Sequence, residues 1–126
     1  MNKFELLKNP TLKSYSVVDF NSKDSSGFLT PIKIPKTYDV VTINNGLEYI
    51  TRPSLLISSI SKALKKGGTL IVTFNERFYP SKVCNLWLRL KEEEKGEWIG
   101  EVMEKEGFEV EGWRGGGVWG VVGVKK

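Results

Sequence analysis

Tyr38 to Ile43 and Thr69 to Phe74 are two nearly continuous runs of apolar and β-branched residues. Between them Pro53 is followed by Leu56, Ile60, Ala63 and Leu64 at helical spacing. That succession dictates strand, helix, strand. Two strands joined through a helix lie parallel in one sheet, and the crossover is expected to be right-handed. The first run has the pattern of a strand covered on both faces. Pro53 suits the first turn of the helix, where a missing N–H leaves no carbonyl unpaired. Lys66-Gly67-Gly68 reads as the helix stop, because only glycine adopts the left-handed conformation after a helix without steric cost. Lys62, Lys65 and Lys66 would then complement the negative end of the helix dipole. A glycine pair that precedes a strand is a cap; a phosphate-cradling loop follows one.

On either side of this unit the punctuation is plain. Residues 1–14 read as the end of a polar helix or a loop, and Tyr15 to Phe20 as a short strand closed by Asn21. Ser22 to Thr37, with its serines, Gly27, Pro31 and Pro35, favours loop. Downstream, a helix starting near Pro80 or Ser81 would carry Val83, Leu86, Trp87 and Leu90 on one stripe and end in the charged run Lys91 to Lys95. A further helix from about Glu97 to Glu106 places Trp98, Val102 and Met103 on its apolar side and stops at Gly107. Phe108 to Trp113 alternates apolar with acidic residues, and Gly115-Gly116-Gly117 turns the chain into Val118 to Val124. This end reads as an antiparallel hairpin closing one edge of the sheet. With 126 residues, one domain is expected, residues 15–126 forming an α/β core that buries roughly two thirds of its unfolded surface.

Composition narrows the chemistry. The chain has no histidine, and its one cysteine, Cys84, has neither metal partners nor an imidazole base, so zinc and thiol chemistry are not expected. Cys84 reads as a small core residue. The net charge of +4 admits an acidic partner, yet the lysines are scattered, which argues against a nucleic-acid surface. No apolar run reaches the ~18 residues of a membrane span and no signal-like region opens the chain, so a soluble, intracellular and by default cytoplasmic protein is expected.

Several separate segments, in order, carry a resemblance. Asn9-Pro10 through Asp19-Phe20-Asn21 is similar to an "NPxLxxYxxxDLN" segment, Tyr38-Asp39-Val40-Val41 to a fourth strand, and Lys65 to Phe74 to "LKPGGxxxxSF" with Lys66 in place of the proline. Asn75 to Lys82 is similar to a less widespread "SNRxFPTKA" motif, here followed by Trp87. The chain resembles class I S-adenosylmethionine-dependent methyltransferases of the type 11 kind, in a subfamily found in plants and algae. The resemblance implies a Rossmann-like α/β sheet, mostly parallel with a C-terminal antiparallel hairpin, helices on its faces, and strand order three-two-one-four-five-seven-six. It implies that Asp19 and Phe20 lie beside the cofactor's adenine and that Asn44 and Asn45 lie near its methionine part. It also implies that Glu48 and Tyr49 face the substrate or accept its proton. Ligands of open α/β sheets gather at the carboxyl ends of the strands, which would bring Asp19, Asn44, Asn45 and Asn75 to one rim.

Each of these residues also admits a plain structural reading. Asp19-Phe20-Asn21 suits an Asx-turn, Asn44-Asn45-Gly46 a simple strand-to-helix turn, and Glu48 a solvated position. Trp87, Trp98, Trp113 and Trp119 suit core or edge packing. Arg77 and Lys82, unusual near a helix start on dipole grounds, are by contrast candidates for an anion contact. The sequence departs from the family before Asn44, where Gly27 stands alone and no glycine-rich turn or ribose-binding acidic residue is found. The expectation is therefore an N-terminally incomplete methyltransferase-like domain in which Tyr15 to Phe20 pairs directly with Tyr38 to Ile43. Its methyl acceptor would be a small molecule or a protein, and a partner chain or a dimer would cover the exposed sheet edge. The alternative is a non-catalytic interaction module with the same ancestry, RNA-associated in one version.

Overall fold

In the computed structural model the described residues are 37–75, 85–115 and 118–126. Strand β1 (Tyr38–Asn44) leads through a 3-10 turn at Leu47–Tyr49 into helix α1 (Pro53–Ala63), which runs directly into strand β2 (Leu64–Asn75). A short helix α2 (Asn85–Arg89), a longer helix α3 (Glu92–Lys105) and the strands β3 (Phe108–Gly115) and β4 (Val118–Lys125) follow. The sheet has the order β1-β2-β4-β3. The β1–β2 pair is parallel, as a strand joined through a helix requires, and β4 runs antiparallel to both of its neighbours. The last strand in the chain is thus inserted between β2 and β3. It is the one strand of the four that runs against the rest.

The core lies between this sheet and helices α1 and α3. Leu70, Val72 and Phe74 alternate along β2 with half-buried residues, the period of two that one buried face requires. They meet Leu56, Ile57 and Ile60 of α1 and Ile99, Val102 and Met103 of α3, each set at helical spacing. Gly123 of β4 is one place where helix and sheet pack closely. A Cβ there would stand 2.4 Å from the Met103 methyl and 3.1 Å from Phe108.

Four boundaries differ from the sequence expectation, each for a physical reason. Helix α1 ends at Ala63, before the glycine pair. Its terminal carbonyls are satisfied from a distance: the Lys125 ammonium of β4 donates to the carbonyls of Ser61 and Leu64, the latter at 2.8 Å. A cap supplied by another strand makes the glycine stop unnecessary. Lys65 and Lys66 therefore belong to β2 and not to the helix end.

Gly67, with φ +83°, instead serves an irregularity in the β1–β2 register, where Tyr38 pairs with Leu64 and Val40 with Thr69. Gly68 is needed there too, because a Cβ would lie 2.8 Å from the Lys65 carbonyl and 3.1 Å from that of Asp39. Both obstacles are backbone and cannot swing aside. Gly68→Ala is expected to destabilise the fold by about 1–3 kcal/mol through forced backbone displacement. Urea denaturation checks this, and a midpoint equal to the parent's would mean that the β1–β2 irregularity relaxes freely.

The charged run Lys91 to Lys95 opens α3 and does not close the helix before it. The Glu94 carboxylate accepts a hydrogen bond from the Lys91 N–H at 3.1 Å, the reciprocal contact of a glutamate at the third helical position. Strand β1 is not covered on both faces: Val40 is 53% exposed and Thr42 is exposed, while Val41 and Ile43 are half-buried. At two helix boundaries the expectation and the structure agree. Pro53 is the first residue of α1. Gly107 follows α3 with φ +92°, its N–H donating to the Glu104 carbonyl at 3.1 Å.

Candidate functional site at the end of strand β1

The chain leaves β1 through a turn that is pinned at both ends. Asn45 takes a left-handed conformation, φ +51°, which asparagine tolerates better than most residues. Its N–H donates to the Thr73 carbonyl at 2.9 Å, and the Thr73 hydroxyl donates to Asn44 Oδ1 at 3.0 Å. Beyond Gly46, the N–H groups of Tyr49 and Ile50 donate to the carbonyls of Gly46 and Leu47, both at 3.1 Å, closing the 3-10 turn. Leu47, fully buried, anchors that turn in the core. The two asparagines stay exposed at the carboxyl ends of β1 and β2, and Asn75 ends β2 at the same rim. Since the Asn44 oxygen is engaged by Thr73, its amide N–H groups are the donors it can offer outward.

Glu48 is the residue that departs most from its plain reading. It is not solvated: only 3% of it is exposed, and Oε2 has no hydrogen-bond partner. Burial raises its carboxyl above the ordinary value of 4.5, partly offset by the hydrogen bond from its own backbone N–H and by the charge of Lys95. Lys95, itself 7% exposed, places its ammonium 4.8 Å from the centre of the Trp87 ring. Trp87 in turn meets the edge of Phe74 at 5.1 Å and Trp98 at 6.2 Å, and Phe74 lies parallel to Trp119 at 6.1 Å. A carboxyl whose pKa is raised by burial, standing behind an exposed rim, holds its proton more tightly than a solvated one and is a candidate for proton exchange there.

Asn44, Asn45, Glu48 and Tyr49 are therefore brought together on one turn, with Tyr49 half-buried. Asp19 and Phe20, the expected pairing of Tyr15 to Phe20 with β1, and Arg77, Lys82 and Cys84 lie outside the described residues. Lys95 was not singled out by its sequence context, where it reads as one charge in a polar run. Its signal is spacing. It stands three and four residues before Trp98 and Ile99, on the stripe that continues to Val102. Among the described residues no group of acidic, histidine or cysteine side chains is arranged to hold a metal ion, and no helix is long and apolar enough to cross a membrane.

At the level of sequence, no family model and no curated protein matches the chain. Solved structures do match its fold. A SAM-dependent methyltransferase from Thermotoga maritima, described as a possible histamine N-methyltransferase, superposes with TM-score 0.53 at 20% identity, over 75% of this chain and 60% of its own. The fibrillarin pre-rRNA processing protein of Methanococcus jannaschii gives 0.53 at 18% identity, over 73% and 38%. An O-methyltransferase family protein from Burkholderia thailandensis gives 0.52 at 18% identity, over 73% and 31%. The fold is that of the SAM-dependent methyltransferases. The order β1-β2-β4-β3 fits the four-five-seven-six part of the strand order that the resemblance implies, and the chain spans between 31 and 60% of the length of these three structures.

Proposed function

We propose that the chain belongs to a SAM-dependent methyltransferase and holds the methionine end of the cofactor at the turn after β1. One observation carries this reading: in a sheet whose reversed strand β4 lies between β2 and β3, an exposed Asn44–Asn45 rim at the carboxyl end of β1 stands directly before a buried acid. The residues suit the group. The outward donors of Asn44 match an amino-acid carboxylate, and the left-handed Asn45 presents backbone at the same rim. Asp19 and Phe20 are assigned to the adenine by their resemblance alone. When bound, the cofactor supplies an electrophilic sulfonium methyl. Little is asked of the protein beyond positioning the acceptor and, for a weak nucleophile, removing its proton. Glu48 is the residue proposed for that proton, with Lys95 and Trp87 fixing its surroundings and Tyr49 bordering the acceptor. The acceptor is proposed to be a small molecule or a protein.

Calorimetric titration of the 126-residue chain with S-adenosylhomocysteine tests the binding half of this proposal. Saturable binding is expected, and Asn44→Asp, which keeps the Thr73 contact and adds a negative charge facing the ligand carboxylate, is expected to weaken it by about tenfold or more. An unchanged affinity would remove Asn44 from the site. A folded chain that binds nothing would favour the second reading, an interaction module that keeps the scaffold without the cofactor.

A further inference from the structure

A groove of about 560 Å³ runs between α3 and the sheet, and no residue of the Asn44–Tyr49 turn is among its described lining residues. It exists because side chains are missing where helix and sheet face each other. Gly96 and Gly100 lie one turn apart on α3, and Gly112 lies opposite on β3. A Cβ at Gly96 would meet nothing within 4 Å. Its inner wall is apolar and aromatic, made by Trp113, which is exposed, and by Trp119 and Phe74, whose rings stack at 6.1 Å, with Val110 and Val121 beside them. Its outer wall is acidic. Glu93, Glu97, Glu101 and Glu104 recur at helical spacing along α3 and all line the opening, and no lysine or arginine is among its described lining side chains. On a chain of net charge +4, this is a concentrated patch of the opposite sign.

We propose that this groove binds an organic cation with a flat or alkyl body, such as an arylalkylamine. The volume lies within the range of small-molecule sites, the ring faces attract a cation, and the carboxylates favour positive over negative charge. The claim is independent of methyl transfer: it requires neither the cofactor nor turnover, and the cation is either acceptor or effector.

Calorimetry on the full chain with 2-phenylethylammonium and with 3-phenylpropionate, which share a ring and differ in charge, decides the matter. The cation is expected to bind about tenfold or more tightly than the anion, with an affinity that falls as salt is raised. Glu97→Gln combined with Glu101→Gln, both at exposed positions, should weaken the cation by about tenfold while the anion binds no more weakly than to the parent. Gly96→Leu fills the groove and should abolish binding; as leucine is the better helix former, its Tm should equal or exceed the parent's. Equal binding of the two probes, or full binding by a folded Gly96→Leu chain, would overturn the proposal. So would capture of a lysine-rich peptide with no response to 2-phenylethylammonium, which would make the groove a protein-docking surface.

Discussion

Trp87→Ala is expected to cost about 3–5 kcal/mol, the range for deleting a buried aromatic side chain. For a chain of this length, total stability is on the order of 5–15 kcal/mol, so the variant loses a third or more of it. The size of the effect follows from position. Trp87, 1% exposed on a helix of five residues, is buried where its neighbours Leu86 and Leu88 are exposed. It joins β2 to α3 by packing between Phe74 and Trp98 beneath the Lys95 ammonium. Removing it deletes both ring contacts and leaves that ammonium without its aromatic face. Trp87→Phe is the informative control. The indole Nε1 has no hydrogen-bond partner in the structure, so the phenyl ring loses volume but no hydrogen bond, and about 1–2 kcal/mol is expected. Urea midpoints at unchanged m-value measure both. An alanine variant within about 0.5 kcal/mol of the parent would mean that the aromatic cluster is not the centre of the core.

Glu48→Gln is expected to make the protein more stable and to slow the methyl transfer proposed above. Burial outweighs the two influences that favour the carboxylate, so the folded-state pKa lies above the ordinary 4.5. The native state then holds this proton more tightly than the unfolded chain does. Its contribution to stability is complete below the unfolded value and is lost as pH rises through the folded one. Glutamine has no proton to lose. The gap between variant and parent should therefore open in favour of the variant as pH rises across that window. Denaturation across a pH series reads this directly. If Lys95 and Glu48 instead stabilise one another net, the variant will be the weaker at neutral pH and the burial argument fails. Methyl transfer should fall by about a hundredfold to ten-thousandfold if Glu48 removes the acceptor's proton. A stabilised variant with full activity would take that role away from it.

Much of this architecture is legible along the chain because it rests on local rules. The period of two in Thr69 to Phe74, the helical recurrence of Leu56 and Ile60, Pro53 at a helix start and Gly107 after a helix end each depend on residues a few positions apart. The Asn44–Tyr49 segment is likewise visible as a turn after a strand, and so were its four candidate residues. What could not be read was how deeply each of them sits. Nothing near Glu48 in sequence declares it buried. That follows from Leu47 anchoring the turn in the core and from Lys95, forty-seven positions away, coming close enough for its charge to be felt.

The sequence by itself therefore determined the elements, the parallel β1–β2 crossover, the C-terminal hairpin and the turn that carries the candidate site, since local sterics and hydrophobic period suffice for these. Only the tertiary structure decided where α1 ends, because its cap is the Lys125 ammonium from β4. It alone gave Gly67 and Gly68 their work in a strand, because the constraint there is the backbone of β1. It also decided that Gly96, Gly100 and Gly112, unremarkable in sequence, open one groove, because a void belongs to two surfaces at once and neither segment encodes the other's distance.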